Sequence, residues 1–211
     1  MSKHLLFIAT GCTLLLLAAS CSGRKGARSV EEITSELHIV TPDTSVYGTL
    51  RSHSADSLIL TPEFGDDPIR CVYDEARGRG AILGTITDGN RYALLIDPDT
   101  HGARKIINLT ELSGQWFYDD ADQQRGFTIT TAGALSSINP KDVSFKKWKF
   151  YNGHIILYYT DIESVVRDSR QYQSDTTDIH TLTDDHLELT FRGQTLSCYR
   201  QREAVKVKFN F

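Results

Sequence analysis

Few residues of this 211-residue chain have the types and spacing to do chemistry, and the clearest is a cysteine. Cys21 closes the run Leu17-Ala18-Ala19-Ser20-Cys21, behind Lys3 and the apolar stretch Leu5 to Leu17. A positive start, a short apolar segment and small residues before the cut form a secretory signal, here one that ends on a thiol ready for acylation. The apolar stretch falls short of the ~20 residues that span a bilayer. Residues 1–20 are therefore expected to be removed and Cys21 to carry lipid. Ser22 rather than Asp after the lipid site favours the cell outer membrane, with either membrane face open.

The other candidate chemistry is thin. Asp97-Pro98-Asp99-Thr100-His101-Gly102 begins like a calcium loop, but its twelfth position is Asn108, which lacks the bidentate carboxylate. An ordinary turn is the expected reading. His38, His53, His101, His154, His180 and His186 show no ligand spacing with a cysteine, so no metal site is expected. There is no Gly-x-Ser-x-Gly, no HExxH and no glycine-rich phosphate loop. No catalytic residue, no cofactor and no enzymatic activity are expected. Cys71 and Cys198 are read as separately buried small hydrophobes, with a disulfide between them as the second reading.

The elements that must position anything else run at period two. Residues 22–44 are polar and read as part of a tether, 21–44, that lifts the body off the membrane. From 45 to 109, six strand patterns follow, Val46–Arg51, Ser57–Thr61, Pro68–Asp74, Ala81–Thr87, Arg91–Ile96 and Arg104–Leu109, separated by Gly, Asp and Pro turns. They imply a small β-barrel of OB or SH3 type. From 110 to 211 come eight or nine more, among them one long pattern over Gln171–Leu182 and a last one over Val205–Phe211. The fold class is all-β. The chain carries 23 basic and 27 acidic residues, and losing the signal removes only Lys3. A mildly acidic body argues against nucleic acid or a strongly acidic lipid surface as a partner.

Within the second half the order of motifs is informative. Leu112-Ser113-Gly114-Gln115-Trp116 is followed by Gly126-Phe127-Thr128-Ile129, Gly133 to Asn139, Lys146-Lys147-Trp148-Lys149, Ile155-Ile156-Leu157, Leu182 to Leu189 and Tyr199-Arg200. Over residues 110–202 this resembles the small lipocalin-like domains, of the calycin type, found in Bacteroidota lipoproteins. The resemblance implies an antiparallel barrel and the binding of a small apolar or amphipathic ligand inside it. Period two places Phe127 with Ile129, Trp148 with Phe150, and Ile155 with Leu157 and Tyr159 on shared faces. With Trp116 these are the expected lining, equally compatible with a filled core and with a pocket. Arg200, on the face of Leu196 and Cys198, is expected over the Trp116 ring. The leading reading is an envelope lipoprotein that binds a small ligand without catalysis. The second reading is an interaction or stress-sensing module that meets an envelope protein through filled barrels, and an enzyme comes third.

Overall fold

The computed structural model describes residues 42–119, 124–163 and 172–200. The described residues from Asp43 onward belong to one compact unit. The Val205–Phe211 pattern, the tether and Cys21 lie outside the described residues.

The first half forms one sheet from β1 (Ser45–His53), β2 (Ser57–Pro62), β3 (Ile69–Val72), β4 (Ile82–Leu83), β5 (Arg91–Ile96) and β6 (Ala103–Asn108). Its order is β3-β2-β1-β5-β6-β4, antiparallel except for the β4–β6 pair. Where the sequence implied a small OB- or SH3-like barrel, this ladder stays open, with β3 and β4 as its edges. One bridge, Val72 to Gly102, curls the β3 edge toward the β5–β6 turn. The pattern over Ala81–Thr87 yields only a two-residue strand because its backbone is claimed by side chains. Gly84 takes a positive φ of 86°, the Thr85 N–H donates to Glu111 Oε2 at 2.6 Å, and the Thr85 carbonyl accepts from Asn108 Nδ2 and the Tyr92 hydroxyl.

Strands β5 and β6 are buried on both faces, and their alternation sorts side chains into two cores. Leu94 and Ile106 join Leu50, Leu58, Leu60 and Cys71 under the short helix α1 (Asp74–Gly78). Ala93 and Ile107 face the other way and pack into the core of the second half. Helix α2 (Leu109–Leu112) then carries the chain across. Asn108 caps it, its side-chain oxygen accepting from the Glu111 N–H at 3.0 Å. This Asn-x-x-Glu start is a capping pattern.

The second half holds nine described strands: β7 (Gly114–Tyr118), β8 (Gly126–Ile129), β9 (Leu135–Ile138), β10 (Val143–Tyr151), β11 (His154–Asp161), β12 (Gln173–Thr177), β13 (Ile179–Leu182), β14 (His186–Phe191) and β15 (Gln194–Tyr199). They form two antiparallel sheets, β13-β14-β15-β7-β8-β9 and β10-β11-β12, facing each other across one core. Among the described residues no continuous ladder closes them. The β9–β10 seam is held by the Ala134–Lys147 bridge and by the Trp148 N–H donating to the Gly133 carbonyl at 2.9 Å. The long pattern Gln171–Leu182 is two strands, broken at Asp178 where the chain turns from one sheet into the other. Lys105 Nζ at 3.2 Å and His154 Nδ1 at 2.9 Å fix the Asp178 carboxylate.

The sheet of the first half seals one end of this two-sheet unit, its floor. Tyr47 donates its hydroxyl to the Phe150 carbonyl at 2.8 Å, Thr44 donates to Asn152 Oδ1, and Arg91 reaches the Thr131 carbonyl. Leu83, Leu109 and Leu112 complete the seal.

Candidate functional site

The residues expected to line the interior are Trp116, Phe127, Ile129, Trp148, Phe150, Ile155, Leu157 and Tyr159. All eight are buried and share one cluster. Alternation explains this directly: each stands on the inward face of β7, β8, β10 or β11, alternating with less buried outward positions such as Gln115, Thr128, Lys149 and Ile156. The room they leave is small. An apolar cavity of about 20 Å³ remains, touched by Phe127, Ile129, Trp148, Ile155 and Leu157 but not by Trp116, Phe150 or Tyr159. That is space for one water, far below the ~300 Å³ of a small-molecule pocket. The interior is a packed core.

At the floor, Trp116 is the anchor. Its Nε1 donates to the Leu112 carbonyl at 2.8 Å, and the Arg200 guanidinium lies 4.2 Å from its ring centroid, as the alternation of the last strand implied. Arg200 also donates to the Glu111 carbonyl. Burial lowers the Arg200 pKa, an effect that Glu111 and Asp184 oppose. Gly114 has a φ of 127°, and a Cβ there would collide with the Arg200 guanidinium. The glycine and tryptophan of the Gly-x-Trp motif are thus one device, a clear space and a ring for the same cation.

The opposite end, the mouth, is built differently. Five rings stack edge to face beneath it: Tyr118 on Phe127, Phe127 on Phe145, and Phe145, Tyr159 and Phe191 on one another, with centroids 5.1–6.5 Å apart. The β14–β15 turn places Arg192 at a φ of 51° and Gly193 at 73°. From there the Arg192 guanidinium folds back to 4.6 Å from the Tyr159 ring. It donates to the Tyr159 hydroxyl at 3.1 Å, to Asp161 at 2.6 Å and to Gln173 at 3.3 Å. Beside this lid of rings lies a cavity of about 420 Å³. Its apolar wall is Tyr118, Val143, Phe191 and Leu196, and its polar wall includes Arg125, Arg192, Gln194, Thr195 and Ser197, with Asp119 and Asp142 at the rim.

Sequence reasoning did not single out Arg125, Arg192 or the β15 hydroxyls. The Arg192-Gly193 pair between two alternating strands was the available signal, since a left-handed two-residue turn aims its first side chain out of the ladder. The acidic cluster after Trp116 contributes Asp119; Asp120 and Asp122 lie outside the described residues. Asp97 sits in a turn, its carboxylate accepting from the Asp99 and Thr100 N–H groups at 2.8 and 2.9 Å and pairing with Arg104. Those backbone bonds hold its pKa below the usual carboxylate range. Among the described residues no three His, Cys, Asp or Glu side chains gather as a metal site. Cys71 and Cys198 are both buried, one in each core. Burial pushes the Cys71 thiol up to about 11.

A comparison with curated proteins gives no match. A solved structure, a lipocalin-like protein from Bacteroides thetaiotaomicron, is 25% identical and aligns with 43% of this chain and 97% of its own length, at a TM-score of 0.34. The family model described as lipocalin-like matches residues 108–202, so the second half of this chain, from the α2 cap to just past Arg200, is similar to that family.

Proposed function

We propose that this protein is a lipid-anchored, non-enzymatic binding protein of the cell envelope, held through Cys21 at the outer membrane. In this reading the two facing sheets act as a flattened lipocalin-like barrel whose ligand, a small amphipathic molecule, is taken at the mouth and not deep in the interior. The mouth cavity carries this reading. Its volume lies in the range of small-molecule sites, and it opposes an aromatic and aliphatic wall to a polar one. The apolar part of a ligand would lie against Phe191 and Leu196, its polar part toward Arg125 and Gln194. The interior residues named above serve as the rigid floor of that site. The filled core favours one second reading, an interaction module that binds an envelope protein through its surface.

Native mass spectrometry of the purified full-length protein tests the first reading. A copurifying amphiphile, lost when Thr195→Trp fills the exposed rim, is the supporting result. Retention in that variant, or binding of a peptide partner unaffected by it, overturns the mouth assignment. Separately, Cys21→Ala is expected to abolish acyl labelling and membrane retention, and unchanged retention refutes the anchor.

A further inference from the structure

The outer face of the β10-β11-β12 sheet is chemically unlike the rest of this acidic molecule. The β-bulge between Phe145 and Lys147 leaves Lys146 and Lys147 both exposed, and Lys149 follows on the same face. The register sets these lysines among rings. Lys147 pairs with Tyr158, its Nζ 4.3 Å from the ring centroid, and Lys149 lies 4.5 Å from the ring of Tyr151. The next positions across the sheet are Ile156, Ser174 and Thr176. Alternation back from Ser174 brings Tyr172, 66% exposed, to the same face. The Lys147–Tyr158–Ser174 and Lys149–Ile156–Thr176 rows hold no carboxylate, and the next row, Tyr151–His154, ends at Asp178, whose carboxylate His154 and Lys105 take up. Asp161 and Asp175 turn to the other side, where Arg192 takes them up.

We propose that this lysine–tyrosine face is a docking surface for an anionic lipid bilayer. Tyrosine settles at headgroup level with its ring in the apolar boundary and its hydroxyl in water. Each lysine near an anionic leaflet adds to the attraction. The clustering of three cations on one face of a net acidic chain supplies the complementarity. Reach is no obstacle: the residues from Cys21 to Asp43 span up to about 75 Å when extended, enough for any face of the body to lie down. The proposal rests on the lipid-anchor reading for the nearness of the membrane but not for the chemistry of the face.

The test is lysine acetylation of the acylated full-length protein on vesicles, read peptide by peptide by mass spectrometry. On vesicles with one third phosphatidylglycerol at low salt, Lys146, Lys147 and Lys149 should react at least fivefold more slowly than on pure phosphatidylcholine. High salt should erase the difference, and Lys141 in the β9–β10 turn should not change. Equal reactivity on both vesicles overturns the proposal. So does protection by a soluble acidic polysaccharide with none on the vesicles, which assigns the face to a glycan. Failure to float with either vesicle refutes the anchor, and the same comparison with the protein added free to phosphatidylglycerol vesicles then decides the face.

Discussion

Replacing Gly114 with alanine should be among the most damaging single-methyl changes in this protein. The first cost is backbone. At a φ of 127° an L side chain is strained by about 1–3 kcal/mol, because the region belongs almost wholly to glycine. The second is the displaced cation. The new Cβ occupies the place of the Arg200 guanidinium, which is a flexible group elsewhere but here is pinned between the Trp116 ring and the Glu111 carbonyl. Moving it forfeits a cation–π contact of about 1 kcal/mol and a charge-assisted hydrogen bond of about 1.5 kcal/mol. The total is about 3.5–5.5 kcal/mol. At about 2–4 °C per kcal/mol for a body of this size, the melting temperature should fall by roughly 10 °C or more. Urea unfolding of Gly114→Ala, Arg200→Ala and the double variant checks the division. Once Arg200 is gone the methyl should cost only the backbone strain, so the two changes should be sub-additive by about 2.5 kcal/mol. A Gly114→Ala variant within 1 kcal/mol of the parent, or strict additivity, would refute the shared role of these residues.

Three further outcomes follow from the seal between the halves. Tyr47→Phe strands the Phe150 carbonyl and should cost about 1–2 kcal/mol in urea unfolding. Burial, followed by Asp43, raises the Tyr47 pKa to about 12, so its contribution is intact below pH 10 and lost as pH rises toward 12; parent and Tyr47→Phe stabilities should converge over that window. Burial opposes ionisation of Asp178, but Lys105 and His154 outweigh it and hold its pKa below the usual range. Asp178→Asn should cost about 1 kcal/mol at neutral pH, discounted for solvent screening, and the difference from the parent should shrink as pH falls below about 4; a pH-independent difference contradicts the assignment. Residues 45–109 expressed alone would bare Ala93, Ile107 and Leu109 and should show no cooperative melt, while 110–211 should retain one; a sharp transition in the isolated first segment would count against this dependence.

Much of the strand pattern was legible in the sequence, because burial on one face writes itself as alternation. Arg91–Ile96, Gly114–Tyr118 and His186–Phe191 appear with the expected bounds. The misses have local causes. No Gly or Pro marks the corner at Asp178, so β12 and β13 read as one strand; the Lys105 and His154 contacts, 73 and 24 residues away, reveal it. The strand expected at Ala81–Thr87 failed because Tyr92, Asn108 and Glu111 outcompete a neighbouring strand for its backbone. Open sheets instead of closed barrels could not be read at all, since ladder closure depends on edge pairing that leaves no mark on a single strand. Period two shows which residues share a face, yet whether they fill the space between the sheets depends on their summed volume, a three-dimensional quantity. The mouth was missed because its arginines lie at turns, where sequence reads solubility first.

The position of β15 has a consequence for how the molecule is completed. It is the final described strand, and it pairs with β14 on one side and with β7, the first strand of its half, on the other. Until Gln194–Tyr199 is in place, both neighbours present bare amide edges, and Trp116 lacks the cation that covers it. A nascent or truncated chain ending before residue 194 would therefore offer two adhesive strands and an uncovered indole, inviting edge-to-edge association with another copy. Protection of this half against self-association therefore waits on β15, whose arrival covers both edges at once.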